Sequence, residues 1–420
     1  MVAYYMKHAW SMLWQDKFFT IISLLGIGLA VSFIMVILTV NDIDDGSYAP
    51  EVNRHRTLYV KSVSEQYNYG NSNSALSSKI VENVFYNLKG AEAVTAQCNG
   101  NSFVEAKRFS GEGQNVSSIG TDASYWKLYE FKFIEGKPFT ESDFRSGIRV
   151  AVISESLSRS LYKGEKASGR EIYIAQQPYK VVGVVKDVSP SFVWASAKVW
   201  APYTTVPEVM SYKNQIACGA LRVAVLAKSS SDFDKIIQEI EANRARYNQP
   251  LLKDVKVILR GPDTHSEQRF RQWASDEKSG YSEMIKLWIS VIAILMVVPA
   301  FNMASFTISR MKKRQEELGL RRSFGALRRD ILGQVVAENM VLTLIGGTIG
   351  FILSIIILVC FKSSLFHGGV DYSISTFFRP TLLAYLLITC IVINLLSALI
   401  PAVRSANQPI VQALKKEKRS

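Results

Sequence analysis

Four stretches of this chain carry almost no charge: Phe18 to Val40, Leu287 to Ile308, Asn339 to Phe361 and Thr381 to Val403. Each holds 22 or 23 residues, enough for a tilted helix to cross a hydrocarbon core of about 30 Å. Buried helices of water-soluble folds rarely need uncharged runs of that length, so four of them point to four membrane spans. The first run exceeds the apolar region of a cleavable leader, about 7–15 residues, and no A-x-A-like site follows it. It reads as a retained anchor.

Between the first two runs the pattern shortens. "TLYVKSV" (57–63) alternates like a strand. "SSKIVENVFYNLKG" (77–90) puts Ile80, Val84 and Leu88 on one helical face, with Gly90 as a stop. "RVAVISESLSRSLY" (149–162) reads as a buried strand running into a helix with Ser154 as N-cap. "REIYIAQQPYKVVGVVKDV" (170–188) reads as two strands joined around Gln177-Pro178. "LRVAVLA" (221–227) is a strand, and 231–247 a helix capped by Ser231 or Asp232. The polar stretch 64–75 reads as an exposed loop. Segment 263–286 is polar with few breakers, and is expected to be a stalk helix continuous with the second span, with Gly280 as a kink. The fold class is therefore an integral membrane α-helical protein. It has four transmembrane helices and a large α+β extracytoplasmic domain, 41–262, between the first and second.

Charge sets the orientation. The connection 310–334 carries eight Lys/Arg against three acids, the segment after Val403 carries five Lys/Arg, and 362–380 carries two. By the positive-inside tendency, both termini and the connection 309–334 are expected in the cytoplasm and 41–283 outside. The outer segment holds 31 basic and 29 acidic residues, and long domains are translocated largely regardless of charge. The chain's net charge of +13 thus reflects loops beside anionic lipid rather than a nucleic-acid-binding patch.

Catalytic patterns are missing. The sequence contains no G-x-x-x-x-G-K-[ST], H-E-x-x-H or G-x-S-x-G. The four histidines, His8, His55, His265 and His367, are scattered and read as surface residues. No Cys or His pair has zinc-ligand spacing. Cys360 and Cys390 lie in apolar spans as small hydrophobes. Cys98 and Cys218 both lie in the outer segment, where a bridge between them could persist. Glu338, at the start of the third span, is either a functional intramembrane acid or an interfacial group paired with Arg328, Arg329 or a helix end.

The charged connection also has an apolar rhythm. Leu320, Phe324, Leu327, Ile331 and Val335 share one helical face, interrupted at Gly325. Glu317 and Arg321 form an i,i+4 pair in the favourable order. Two readings fit: a helix resting on lipid headgroups, or a docking element for a cytosolic protein.

The block "FNMASFTISRMKKRQEELGLRRSFGALRRDILGQVVAENMVLTLIGGTIG" (301–350) resembles the C-terminal domain of FtsX/MacB-type ABC transporter permeases. The matching positions are Asn302, then Arg314, Glu317, Leu318, Gly319, Leu320, Arg321, Arg322, Gly325, Ala326, Arg328, Asp330 and Ile331. Glu338 and the glycines Gly346, Gly347 and Gly350 continue the pattern. The ending "IPAVRSANQPIVQALKKE" is similar to the family's own, with Lys415 for its usual Arg. Residues 41–262 resemble the MacB-like periplasmic core domain through "SYWKLYEFKFIEGKPFTESD", "VAVISESLSRSLY", "GREIYIAQQPYKVVGVVKDV" and "WAPYTTV". Residues 1–17 are similar to the family's amphipathic cytoplasmic N-terminal helix.

The resemblance implies spans at 18–40, 287–308, 335–361 and 381–403, with a short external connection at 362–380 and a basic cytoplasmic tail at 404–420. It implies a coupling helix in 309–334, where Arg314, Glu317, Leu318, Gly319, Arg321, Arg322, Phe324, Gly325, Ala326, Leu327 and Arg328 would meet an ATPase. Gly346, Gly347 and Gly350 would serve span packing. Only seventeen residues precede the first span, whereas MacB carries its ATPase there, so a separate cytosolic ABC ATPase dimer is expected to bind ATP and Mg. No catalytic residue, cofactor or metal is expected in this chain. A second permease chain, identical or a paralogue, is implied, with a membrane fusion protein and an outer-membrane channel as optional further partners. The expected function is mechanotransmission in a bacterial inner membrane: ATP hydrolysis below drives a shape change outside, for export or extraction of a substrate. The alternative is a membrane-anchored extracytoplasmic sensor that signals through a bound cytosolic partner.

Overall fold

The computed structural model describes residues 17–98, 102–109, 113–251, 255–271, 278–313, 324, 328–361 and 380–407. These fall into two units, one of 17–44, 286–361 and 380–407, the other of 45–285.

The first unit consists of long helices: Lys17–Asp45, Tyr281–Lys313, Arg328–Cys360 and Pro380–Asn407. Among the described residues four helices are long and apolar enough to cross a membrane: Thr20–Asp45, Tyr281–Lys312, Gly333–Cys360 and Pro380–Ser397. They are called spans one to four here. Each holds most of one uncharged window. The helices of spans two and three run past their windows into charged sequence, because backbone hydrogen bonds continue a helix wherever no breaker intervenes. Their shared core joins Ile27, Val31 and Met35 of span one to Met303 and Phe306 of span two. Leu342 and Phe351 of span three and Leu382 and Ile393 of span four complete it.

The second unit is α+β. Its strands are β1 (Thr57–Val60), β2 (Ser62–Tyr67), β3 (Gly70–Leu76), β4 (Ala91–Cys98) and β5 (Ser102–Lys107). Next come β6 (Gln114–Thr121), β7 (Phe133–Gly136), β8 (Val150–Ser154), β9 (Glu171–Ile174) and β10 (Gln177–Val185). The last are β11 (Val199–Pro202), β12 (Cys218–Gly219), β13 (Leu221–Ala227) and β14 (Val255–Arg260). Six strands return on themselves in the order β11-β8-β10-β9-β5-β6, because β11 also pairs with β6 in parallel. Closure leaves no free edge on these six. Ala151, Ile153, Ile172, Val181 and Val199 fill one core around them, with Leu157 and Leu161 from the helix Glu155–Tyr162.

The other strands are organised by β13, which is buried along its whole length. It pairs with β4 from Leu221↔Cys98 onward and with β1 from Thr57↔Leu226 to Val60↔Val223. Burial on both faces explains its unbroken apolar composition.

Local signals in the sequence are met where side chains bond their own backbone. Ser154 accepts from the Leu157 amide and starts the helix after β8. Ile80, Val84 and Leu88 are buried on one side behind the Ser77 cap. The junction of β9 and β10 is Ala175-Gln176 rather than Gln177-Pro178, with both residues at positive φ, 48° and 65°; paired positive φ values suit the twist of a two-residue hairpin.

Two expectations are corrected. Segment 64–75 is no loop: β2 and β3 form a hairpin around Asn68-Tyr69, and β14 pairs along the other edge of β2. Backbone ladders on both sides of β2 hold this mostly polar pair, which is anchored in the core by Val63 and Leu76 at the ends away from the turn. The stalk 263–286 is not one helix. A capping box of Thr264 and Glu267 opens the helix His265–Phe270. Arg271 then turns extended so that its guanidinium reaches back to Asp263, 2.7 Å from Nη2 to Oδ1. Gly280 sits at φ +74° just before the next helix begins at Tyr281.

Asp122, at the end of β6, ties three elements together. Its carboxylate accepts from the amides of Ala96 and Tyr125 and from the hydroxyls of Thr95 and Tyr86. Burial nevertheless raises its pKa to about 6. Folded Asp122 therefore holds a proton more readily than the unfolded side chain, and its contribution to stability is lost as pH rises through 6. Thermal unfolding of wild type and Asp122→Asn at pH 7 and pH 5 should show the wild type gaining on the variant at the lower pH, by about 1 kcal/mol. A constant gap would contradict the assignment.

Candidate functional site

The segment expected to meet an ATPase lies between the helices that end at Lys313 and begin at Arg328. Arg314, Glu317, Leu318, Gly319, Arg321, Arg322, Gly325, Ala326 and Leu327 lie outside the described residues. Phe324 is described and is 84% exposed. Arg328 is the first residue of the helix that carries span three. Arg310, in the helix of span two, places its guanidinium 3.9 Å from the centre of the Phe306 ring, a cation–π contact that holds a charge against its own helix.

The glycines of span three pack in two directions. A Cβ on Gly350 would lie 2.5 Å from the carbonyl oxygen of Gly28 and 2.9 Å from Val31 Cβ. A Cβ on Gly346 would lie 2.8 Å from the Ile27 side chain. Spans one and three therefore approach backbone to backbone, as small residues allow. Gly347 faces span four, where a Cβ would strike Cys390 Sγ.

Polar side chains are buried among the same helices. Thr307 Oγ1 donates to Asn339 Oδ1 at 3.1 Å, and Thr343 Oγ1 to the Asn339 carbonyl at 2.8 Å. Asn394 Nδ2 donates to the Val336 carbonyl at 3.2 Å. The Thr307–Asn339 and Asn394–Val336 bonds join helix to helix where lipid offers no partner, while the Thr343 bond stays within its own helix. Glu338 accepts from Gln334 one turn earlier, at 2.9 Å, within its own helix.

In the outer unit both cysteines are free thiols, and the bridge that the sequence left open is not formed. Cys98 is buried and its sulfur accepts from the Gly120 amide at 2.9 Å, while Cys218 turns to Ser72. Burial raises both thiols above their ordinary range, which lowers their reactivity. His265 is buried, not on the surface, and its ring meets Tyr59 edge-on. Sequence spacing missed two buried ion pairs, Glu51 with Arg54 and Asp263 with Arg271. Neither pair stands out from solvated charges without the tertiary structure.

Comparison with known proteins gives the same organisation. A family model described as MacB-like periplasmic core domain matches residues 20–243, and one described as FtsX-like permease C-terminal matches residues 289–410. An uncharacterized ABC transporter permease, YknZ of Bacillus subtilis (strain 168), is 22% identical over 98% of both chains. The macrolide export ATP-binding/permease protein MacB of Escherichia coli (strain K12) is 23% identical over 97% of this chain, which spans 60% of that relative's length. The extracellular domain of the noncanonic ABC-type transporter YknZ from Gram-positive bacteria aligns over 47% of this chain at a TM-score of 0.33 and 16% identity, with all of that structure covered. The two family models cover the outer unit and the spans in the order in which the chain lays them out, and on them the chain belongs to the MacB/FtsX-type ABC transporter permeases.

Proposed function

We propose that this chain is the permease subunit of an ABC transporter whose ATP is hydrolysed by a separate cytosolic ATPase, and that it converts hydrolysis into a change of shape in the outer unit. The observation that carries this reading is the FtsX-like permease match over 289–410. That range takes in the basic connection between spans two and three, the segment with eight Lys/Arg and an apolar face. Further support comes from the relative named as a permease, which matches over nearly the whole of both chains.

In this reading ATP and Mg belong to the ATPase pair, which docks under two permease chains. Closure of the pair pushes on 310–334, and the push passes to the spans on either side. The closely packed glycines of spans one and three let those helices move together. The orientation is the one set by the Lys/Arg counts, with 310–334 and both termini in the cytoplasm and 41–283 outside. A fusion protein and an outer-membrane channel would extend the path for an exported substrate.

Docking makes a specific demand on the exposed Phe324. Large apolar groups at the centre of a small interface carry most of its energy. Phe324→Asp with Leu327→Asp should abolish co-purification with the cognate ABC ATPase, while the chain still inserts and the outer unit still resists protease. Arg328→Glu, a change at the rim, should weaken association modestly and mainly through its rate. ATPase recovery at wild-type yield with the double variant would sink the docking assignment. The segment would then be a lipid-resting helix.

A further inference from the structure

Trp194 is fully buried, yet it does more than fill space. Its three polar groups go to three different parts of the outer unit. The backbone amide donates to Glu51 Oε1 at 3.1 Å. The indole Nε1 donates to Gln268 Oε1 at 3.2 Å. The carbonyl accepts from Gln97 Nε2 of β4 at 2.9 Å and from the Tyr125 hydroxyl at 3.2 Å. On the ring's face, the Arg222 guanidinium of β13 stands 4.3 Å from the centroid, and Arg222 also donates to the Val193 carbonyl. Tyr59 of β1 packs against the same ring at 4.7 Å.

Position along the chain gives these contacts their meaning. Glu51 lies just beyond the helix of span one, which ends at Asp45. Gln268 lies in the short helix His265–Phe270, which precedes the helix of span two among the described residues. Both segments have further ties of their own. Glu51 Oε2 accepts from Arg54, which also donates to the Gly46 carbonyl. Arg269 donates to Asp45, and Lys61 donates to the Gln268 carbonyl. The chain thus leaves span one and returns to span two through segments that both bond to one tryptophan, and that tryptophan is bonded to the central strands β4 and β13. A core tryptophan requires a partner for its N–H and good packing. It does not require that its amide, indole and carbonyl bind the incoming segment, the outgoing segment and the sheet separately.

We infer that Trp194 is a positioning residue of the transmission path, joining the two membrane-linking segments to the centre of the outer sheet so that a displacement of either is passed to β4 and β13. The inference rests on the permease reading above. Displacing one segment alone would leave buried polar groups unpaired, which is costly. The cheaper response moves both segments and the sheet together.

The test uses the full chain with its cognate ABC ATPase in lipid nanodiscs. Hydrogen exchange is measured without nucleotide and after trapping with ATP and vanadate. In the wild type, trapping should change exchange in 45–60, in 188–197 and in β4. Trp194→Phe keeps an aromatic ring of smaller volume and loses the indole N–H. Gln268→Leu removes the acceptor and leaves Trp194 itself in place. Both variants cut only the tie to the outgoing segment and leave Glu51 on the Trp194 amide. The change should therefore persist in 45–60 and be clearly reduced, though not abolished, in 188–197 and β4, with basal protection of β13 and ATPase binding unchanged. Gln268→Glu restores an acceptor at the residue whose carbonyl already receives the Lys61 ammonium and should recover the response. A purely structural tryptophan would give variants that lose β13 protection, or that relay the change as the wild type does; either result in Gln268→Leu overturns the inference. A wild-type complex in which nucleotide alters nothing between 45 and 271 overturns the permease reading, and the inference with it.

Discussion

Gly350→Ala should lower the thermal stability of the detergent-solubilised full chain by about 1–3 kcal/mol, the usual cost of overpacking. The added methyl would stand 2.5 Å from the Gly28 carbonyl oxygen, a backbone atom that cannot rotate away. Spans one and three would have to separate, and contacts such as Ile27 against the Gly346 backbone would loosen with them. Gly333→Ala is the matched control. It lies in the same helix with nothing within 4 Å of an added Cβ, so removal of a flexible helix-interior glycine should leave stability unchanged or raise it by about 0.5–1 kcal/mol. Equal melting temperatures for the two variants would mean that the close approach at Gly28 does not hold the spans.

Arg271→Met should destabilise the outer unit by about 3–5 kcal/mol, the cost of leaving a buried charge without its partner. Arg271 and Asp263 are 4% and 7% exposed at their side chains, so water cannot replace the lost guanidinium. The same pair turns the chain out of the helix His265–Phe270, and Asp263 bridges to Tyr59 through two backbone hydrogen bonds of 2.8 Å. The double change Arg271→Met with Asp263→Asn removes both charges and should recover much of the loss. Urea unfolding of the full chain, followed by protease resistance of the outer unit, measures both variants. A single variant as stable as the wild type would show that the pair contributes little.

The sequence revealed the elements whose causes are local. The span windows were visible because lipid demands long uncharged runs. The strand and helix at 149–162 were visible because Ser154 lies between an apolar run and a helical pattern, and it does cap that helix. Burial on both faces made β13 visible. Features set by distant partners were hidden. The largely polar β2–β3 hairpin is held by pairing with β14, which is remote in sequence, and by Val63 and Leu76 at its base. Arg271 breaks the stalk by reaching back to Asp263, and nothing in a polar, helix-compatible stretch signals that choice. Cys98 and Cys218 look alike in sequence, but the Gly120 amide and Ser72 engage their sulfurs separately. Trp194 lies in an irregular stretch between β10 and β11, and its role appears only when Glu51, Gln97, Arg222 and Gln268 are brought around it. At the connection between spans two and three the charge and apolar face were legible, while its proposed partner is a different protein.

The central claim is that ATP turnover below the membrane changes the outer unit. Spin labels at position 230, one on each of two permease chains paired in nanodiscs with the cognate ATPase, report it directly. The exposed Ser230 lies away from the spans in sequence, beside the helix Phe233–Asn248. Electron–electron double resonance should give one label-to-label distance distribution without nucleotide and a displaced one after trapping with ATP and vanadate. The displacement should vanish when Phe324 and Leu327 are both replaced by Asp. Identical distributions in the two nucleotide states, with the ATPase demonstrably bound and turning over, would contradict the account.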